Sequence, residues 1–129
     1  MVDHISDMLI RIKNAGLSGH EEVRLPYSKM KERIAETLKR DGFIKDWKEG
    51  TTSGKKALRI ELFVENRVPK IRDVKRLSKP SKRIYKGASE LRPFKSGYGM
   101  FVLSTPLGIM SGRDAKKAGV GGEVLFSIW

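Results

Sequence analysis

Cysteine is missing from this sequence, and histidine occurs only twice. The first absence excludes disulfides, thiolate nucleophiles and sulfur-ligated metals, and it fits a reducing compartment. His4 and His20 stand near one end and in an expected loop, so no His/Cys/Asp group has the spacing of a metal site. No metal or other cofactor is expected. Long apolar runs are also lacking. None approaches the roughly 20 residues of a spanning helix, and neither amphipathic segment has an aromatic-rich face, so no membrane partner is expected. The opening Met1-Val2-Asp3-His4 has neither a basic segment followed by an apolar one nor an Arg-rich transit character. The expectation is a cytoplasmic protein.

The chemistry of catalysis is equally thin. No GxGxxG or Walker-type sequence follows an expected strand. Gly119-Val120-Gly121-Gly122 precedes a strand instead of opening a helix, and it lacks the lysine and hydroxyl of a phosphate loop. A nucleophilic Ser104 would need a base that the sequence does not offer. An enzyme, including one that processes nucleic acid, has no residue to nominate, and no small-molecule substrate is expected. Negative charge is the remaining shortage: 15 Asp plus Glu face 27 Lys plus Arg, a net charge of +12. Such an excess repels itself and attracts polyanions, of which nucleic acid fits best once membranes are set aside.

What is present reads as an α+β protein of two small lobes, residues 1–66 and 67–129. Ile5, Met8, Leu9 and Ile12 draw one apolar stripe on a helix from about Asp3 to Ala15, with Gly16 as its stop. Arg11, Lys13 and Asn14 on its other face are either solvated or in contact with phosphate. A strand ending at Pro26 follows. Ser28 then caps a second helix with Met30, Ile34, Ala35 and Leu38 on one face and Asp41-Gly42 at its end. Lys29 and Lys31 in its first turn oppose the helix dipole, a conflict that a bound phosphate removes. Phe43, Ile44 and Trp47, the turn-rich 49–54, and Leu58, Ile60, Leu62 and Val64 in period two complete an α-β-α-β-β lobe as a hairpin.

Glu65-Asn66-Arg67-Val68-Pro69 breaks the pattern and marks the boundary. The second lobe is expected to be mostly antiparallel β with one short helix. Its strands are Ile71 to Ser78, Arg83 to Lys86, Met100 to Leu103 and Val124 to Trp129. Pro93 to Gly99 is a loop, and Ser111 caps a helix from Gly112 to Lys117.

Several residues of this lobe suit RNA. Ser104 and Thr105 can exchange hydrogen bonds with sugars and base edges, and Tyr85, between Arg83 and Lys86, can stack while its neighbours hold phosphates. Gly121 and Gly122 bring backbone close, and Glu123 can accept from exocyclic amines or 2′-hydroxyls. Each has a plainer reading as strand-end, core or turn chemistry. An ordered series of segments nevertheless resembles the bacterial-type family of the eighth protein of the small ribosomal subunit. The series is Ser6 to Asn14, Pro26 to Lys31, Asp41 to Ile44, Ser78-Lys79-Pro80 with Arg83-Ile84-Tyr85, Ser104 to Gly108 and Gly121 to Val124.

The resemblance implies a two-lobe protein that binds a looped helix in the central domain of small-subunit ribosomal RNA and supports assembly beside neighbouring ribosomal proteins. It places the main contact on Ser104, Thr105, Tyr85, Lys86, Gly122 and Glu123, with Ser28, Lys29 and Lys31 in support. Repression of a messenger RNA is the alternative it allows. Three positions depart from the family pattern: Pro106 in place of the third hydroxyl of Ser-Thr-Ser-x-Gly, Ser81 in place of glycine, and Ser111-Gly112 in place of Thr-Asp.

Overall fold

The computed structural model describes residues 3–92 and 99–129. These form two units, His4–Arg72 and a second made of Asp73–Trp129 joined by Asp3. The expected loop at Pro93 to Gly99 lies, for residues 93–98, outside the described residues. Among the described residues no helix is long and apolar enough to cross a membrane.

In the first unit the order is α1 (His4–Leu17), β1 (Glu22–Pro26), α2 (Lys29–Arg40), β2 (Ile44–Thr52), β3 (Lys55–Leu62), β4 (Val64–Glu65) and β5 (Val68–Pro69). Strands β1, β3 and β2 form an antiparallel sheet in that spatial order. Leu58, Ile60 and Leu62 are buried while the intervening Arg59 and Glu61 are half-exposed, as the two-residue strand period requires. They join Met8, Leu9 and Ile12 of α1 and Ile34, Ala35 and Leu38 of α2 among the buried residues. Burying a side chain of this size contributes roughly 1.5–3 kcal/mol, so the helical stripes and the buried face of the sheet together are the main source of this unit's stability.

Helix α1 runs past its expected stop. Gly16 is helical and buried, and a Cβ there would sit 2.9 Å from the Cβ of Pro69. The stop is instead Gly19 at φ +76. Bonds from Gly19 N–H to the Gly16 carbonyl (3.0 Å) and from His20 N–H to the Ala15 carbonyl (2.8 Å) complete a Schellman end. Gly42 ends α2 in the same way, at φ +78. Met30, expected on the buried stripe of α2, is 40% exposed. The expected break at residues 65–69 lies within the tight hairpin of β4 and β5, in which Val64 pairs with Pro69 and Glu65 with Val68. Asn66 and Arg67, at φ 50 and 64, take the left-handed pair of a type I′ turn without glycine.

The second unit holds β6 (Val74–Arg76), β7 (Tyr85–Lys86), a 3₁₀ turn (Ala88–Glu90), β8 (Met100–Thr105), β9 (Gly108–Ser111), α3 (Gly112–Ala118) and β10 (Gly122–Ile128). All pairings are antiparallel, in the order β6-β10-β8-β9 with β7 also on β10. The strands expected over 71–78 and 83–86 are shorter, and β9 extends the sheet beyond the expectation. Ser111 caps α3 by accepting from Asp114 N–H, and Gly119 at φ 70 closes it. Leu91, Leu103, Ala115 and Val124 form a core cluster, with Phe101 and Met110 against it. A bulge at Leu125 frees its carbonyl, which accepts from Leu77 N–H at 3.1 Å and from the Arg76 guanidinium. Arg76 also pairs with Asp3 at 3.1 Å, with only 12% and 22% of the two side chains exposed.

In the first unit Lys39 of α2 meets Asp46 at 3.0 Å. The bond from Lys39 holds the Asp46 carboxyl below its ordinary value, helped by the Trp47 N–H. A depressed carboxylate contributes stability above its unfolded pKa and loses it as pH falls through the folded one. Asp46→Asn is therefore expected to lose less stability than the native chain between about pH 5 and pH 2.5 in urea titrations. Equal acid losses in both proteins contradict this assignment.

Candidate RNA interface

Strand β10 brings the expected residues together at its first two positions. Glu123 is opposite Tyr85 on one side and Ser104 on the other, so phenol, carboxylate and hydroxyl form one row on one face of the sheet. Gly122 is opposite Lys86. A Cβ on Gly122 would fall inside the Ser104 carbonyl oxygen and 3.0 Å from the Thr105 Cα. At Gly121 it would fall inside the Lys86 carbonyl and 2.6 Å from the Gly87 Cα. The paired glycines thus let β7 and β8 close on β10 from both sides.

Tyr85 is 67% exposed, an unusual position for a phenol beside a sheet and one that leaves its ring free to stack. Its strand is fastened by Ser78, a residue of the shared Ser78-Lys79-Pro80 segment to which the sequence alone assigned no role. The fully buried Ser78 hydroxyl accepts from Ile84 N–H at 2.8 Å and donates to the Ile84 carbonyl at 3.2 Å. Val124 N–H also donates to that carbonyl at 2.9 Å. Arg83 Nη1 reaches both Glu123 oxygens, at 3.2 and 3.1 Å, while the Glu123 side chain is only 13% exposed. Arg83 therefore orients the carboxylate before it serves any phosphate.

Thr105 and Lys86 follow the row residues along their strands and so belong to the opposite face at the same end of the sheet. The Lys86 ammonium stands 5.8 Å from the Phe101 ring centroid on that face. The two hydroxyls differ. Thr105 Oγ1 donates to the Gly108 carbonyl at 2.8 Å and accepts from Leu107 N–H at 3.1 Å, closing the β8–β9 loop. Among the described residues the Ser104 hydroxyl makes no hydrogen bond. Pro106 opens the two-residue loop between the paired Thr105 and Gly108.

In the first unit Ser28 caps α2, its Oγ accepting from Lys31 N–H at 3.2 Å and keeping its own proton to donate. Lys29 is exposed on the same turn. Lys31 is not: it is 5% exposed, and its ammonium donates to the Pro26 carbonyl at 3.2 Å, tying α2 to the end of β1. The sequence shows three similar residues at this turn, but only Ser28 and Lys29 face solvent.

Two substitutions check this geometry. Gly122→Ala is expected to destabilise the chain by about 1–3 kcal/mol or more in denaturant melts, because the clash is with backbone that has no room to yield. Lys31→Met keeps the stem and removes the donor. It is expected to cost about 0.5–1.5 kcal/mol of stability by removing the bond that ties α2 to the Pro26 carbonyl, and to leave the salt dependence of RNA binding unchanged.

Comparison with known proteins identifies the family of the chain. Residues 3–129 match the family described as Ribosomal protein S8. The small ribosomal subunit protein uS8 of Geobacter metallireducens is 43% identical over 130 residues, spanning 100% of this chain and 98% of that protein. The uS8 proteins of Kocuria rhizophila and Dictyoglomus thermophilum are 44% and 43% identical over the same shares of each chain. The chain belongs to the ribosomal protein S8 family.

Proposed function

We propose that this protein is a non-enzymatic structural constituent of the small ribosomal subunit, cytoplasmic with the ribosome. In this reading it binds a looped helix of the central domain of small-subunit ribosomal RNA through the β7–β10–β8 end of the second unit, beside neighbouring small-subunit proteins. The observation that carries the reading is the row Tyr85–Glu123–Ser104. It sets a stacking ring, an oriented acceptor and an uncommitted hydroxyl side by side, the groups that unpaired bases and 2′-hydroxyls require. Lys86 and Lys29 add phosphate contacts, which position RNA without reading it. Thr105 shapes the loop and keeps one lone pair for RNA. Lys31 supports the turn that presents Ser28 and Lys29. Family membership favours the ribosomal target over a messenger RNA, since the face serves either.

The test is a filter-binding titration of the full chain with a looped ribosomal helix and with a plain duplex. Preference for the looped helix at about 0.2 M salt is expected, and equal affinity sinks the reading, because phosphate contacts alone carry no loop preference. Ser104→Ala should cost about 1–3 kcal/mol of affinity with an unchanged salt slope. Lys86→Ala should flatten that slope by nearly one unit.

A further inference from the structure

The first unit has a cleft of about 460 Å³ whose lining includes Arg11, Arg24, Leu25, Tyr27, Lys55 and Lys56. We propose that this cleft holds a single unpaired nucleotide of the bound RNA, with the base against Tyr27 and the phosphates on Arg11, Arg24 and Lys55. The inference rests on the RNA-binding reading above and adds a second site that none of the row residues shares.

The volume lies in the roughly 300–1,000 Å³ range of sites that enclose one small group, and the lining divides as a nucleotide does. Leu25, Pro26 and Ala57 are apolar, Tyr27 offers a half-buried ring, and four cations complete the wall with no carboxylate among them. The ring is fixed before any ligand arrives. Its hydroxyl donates to Glu32 at 3.0 Å, and the Lys56 ammonium lies 3.9 Å from its centroid. Burial, then the Glu32 bond, raise the phenol's pKa, so Tyr27 stays neutral and a base meets an uncharged ring.

The acids nearby are already committed outside the lining. Asp7 takes Arg11 at 3.3 Å, Glu22 takes Arg24 at 3.0 Å and Glu49 takes Lys56 at 3.2 Å. Pairs this exposed are weak, so a phosphate can compete for the two arginines, while Lys55 has no ion pair among the described residues. An acidic peptide would satisfy the cations but leave the ring and apolar floor without a flat partner. A duplex would reach the cations and leave the cleft empty.

The experiment compares the full chain and its variants on full-length small-subunit ribosomal RNA and on the isolated looped helix. Tyr27→Leu is expected to weaken binding to the full-length RNA by about tenfold, the lower range of one lost base stack, and to leave binding to the isolated helix unchanged. Tyr27→Phe should bind both like the native chain. Lys55→Ala, at the exposed hairpin tip where folding is not at stake, should weaken full-length binding and lower its salt slope by nearly one unit. Ultraviolet crosslinking should place a nucleotide adduct on the peptide that contains Tyr27. Full-length binding by Tyr27→Leu and Lys55→Ala equal to that of the native chain overturns the proposal. So does displacement of the RNA by micromolar AMP, which assigns the cleft to a free nucleotide. Failure of the native chain to prefer the looped helix is the separate result that removes the function reading itself.

Discussion

The approach of three strands at Gly121 and Gly122 is the constraint on which the second unit depends. No residue with a Cβ fits between the Lys86 and Ser104 carbonyls without pushing one neighbouring strand away from β10. If β8 moved, Ser104 would leave the row it shares with Glu123. If β7 moved, Tyr85 would leave it from the other side. The glycines cost backbone entropy on folding. Burial from Val124 to Ile128 along the same strand offsets that cost. The apolar half of β10 thus anchors the unit, and its glycine half sets the spacing of the Tyr85–Glu123–Ser104 row.

Charge is organised by a similar division. Arg24, Arg59 and Lys48 stand directly opposite one another across β1, β3 and β2, a like-charge row that weakens a sheet. Glu22 relieves it by accepting from Arg24 at 3.0 Å and Arg59 at 3.1 Å, and the Arg24 bond, the largest influence, holds its carboxyl below the usual range. Lys39 and Lys56 likewise have Asp46 and Glu49. Single exposed pairs contribute little stability. Their larger effect is selective. Acids such as Glu22, Asp46 and Glu49 neutralise cations where sheet and helix need it, while Lys29 and Lys55 have no ion pair among the described residues.

Periodicity made the helices and the β2–β3 hairpin legible, because their apolar stripes are local in sequence. What stayed hidden depends on distant partners. Gly16 looks like a stop until Pro69 is placed against it, and Lys31 looks like its neighbour Lys29 until the Pro26 carbonyl captures its ammonium. Asn66-Arg67 carries no glycine, so its left-handed pair reads as an irregular break. The row residues could be nominated singly from their chemistry, but their adjacency follows from strand pairings between segments some 20 to 40 positions apart in sequence. The role of Ser78 was hidden for the same reason, although the residue belongs to a segment shared with the family: its two bonds to Ile84 close a loop whose shape the sequence does not state.

Pro106 shows how one substitution redistributes a function. The first position of a tight turn has its φ near the value proline fixes and has no need of an N–H, so the residue fits the β8–β9 loop without loss. The next N–H, on Leu107, is taken by Thr105 Oγ1, whose proton is in turn given to Gly108. The threonine is thereby spent largely on holding the loop. Of the two hydroxyls left at this strand end, that of Thr105 is committed and that of Ser104 is not, which is why the proposed recognition falls on Ser104. A rigid loop lowers the entropy that ordering this serine would cost in the proposed complex. Fewer contacts from a better-fixed backbone are a workable exchange, and they make Ser104 the side chain on which the proposed contact depends most.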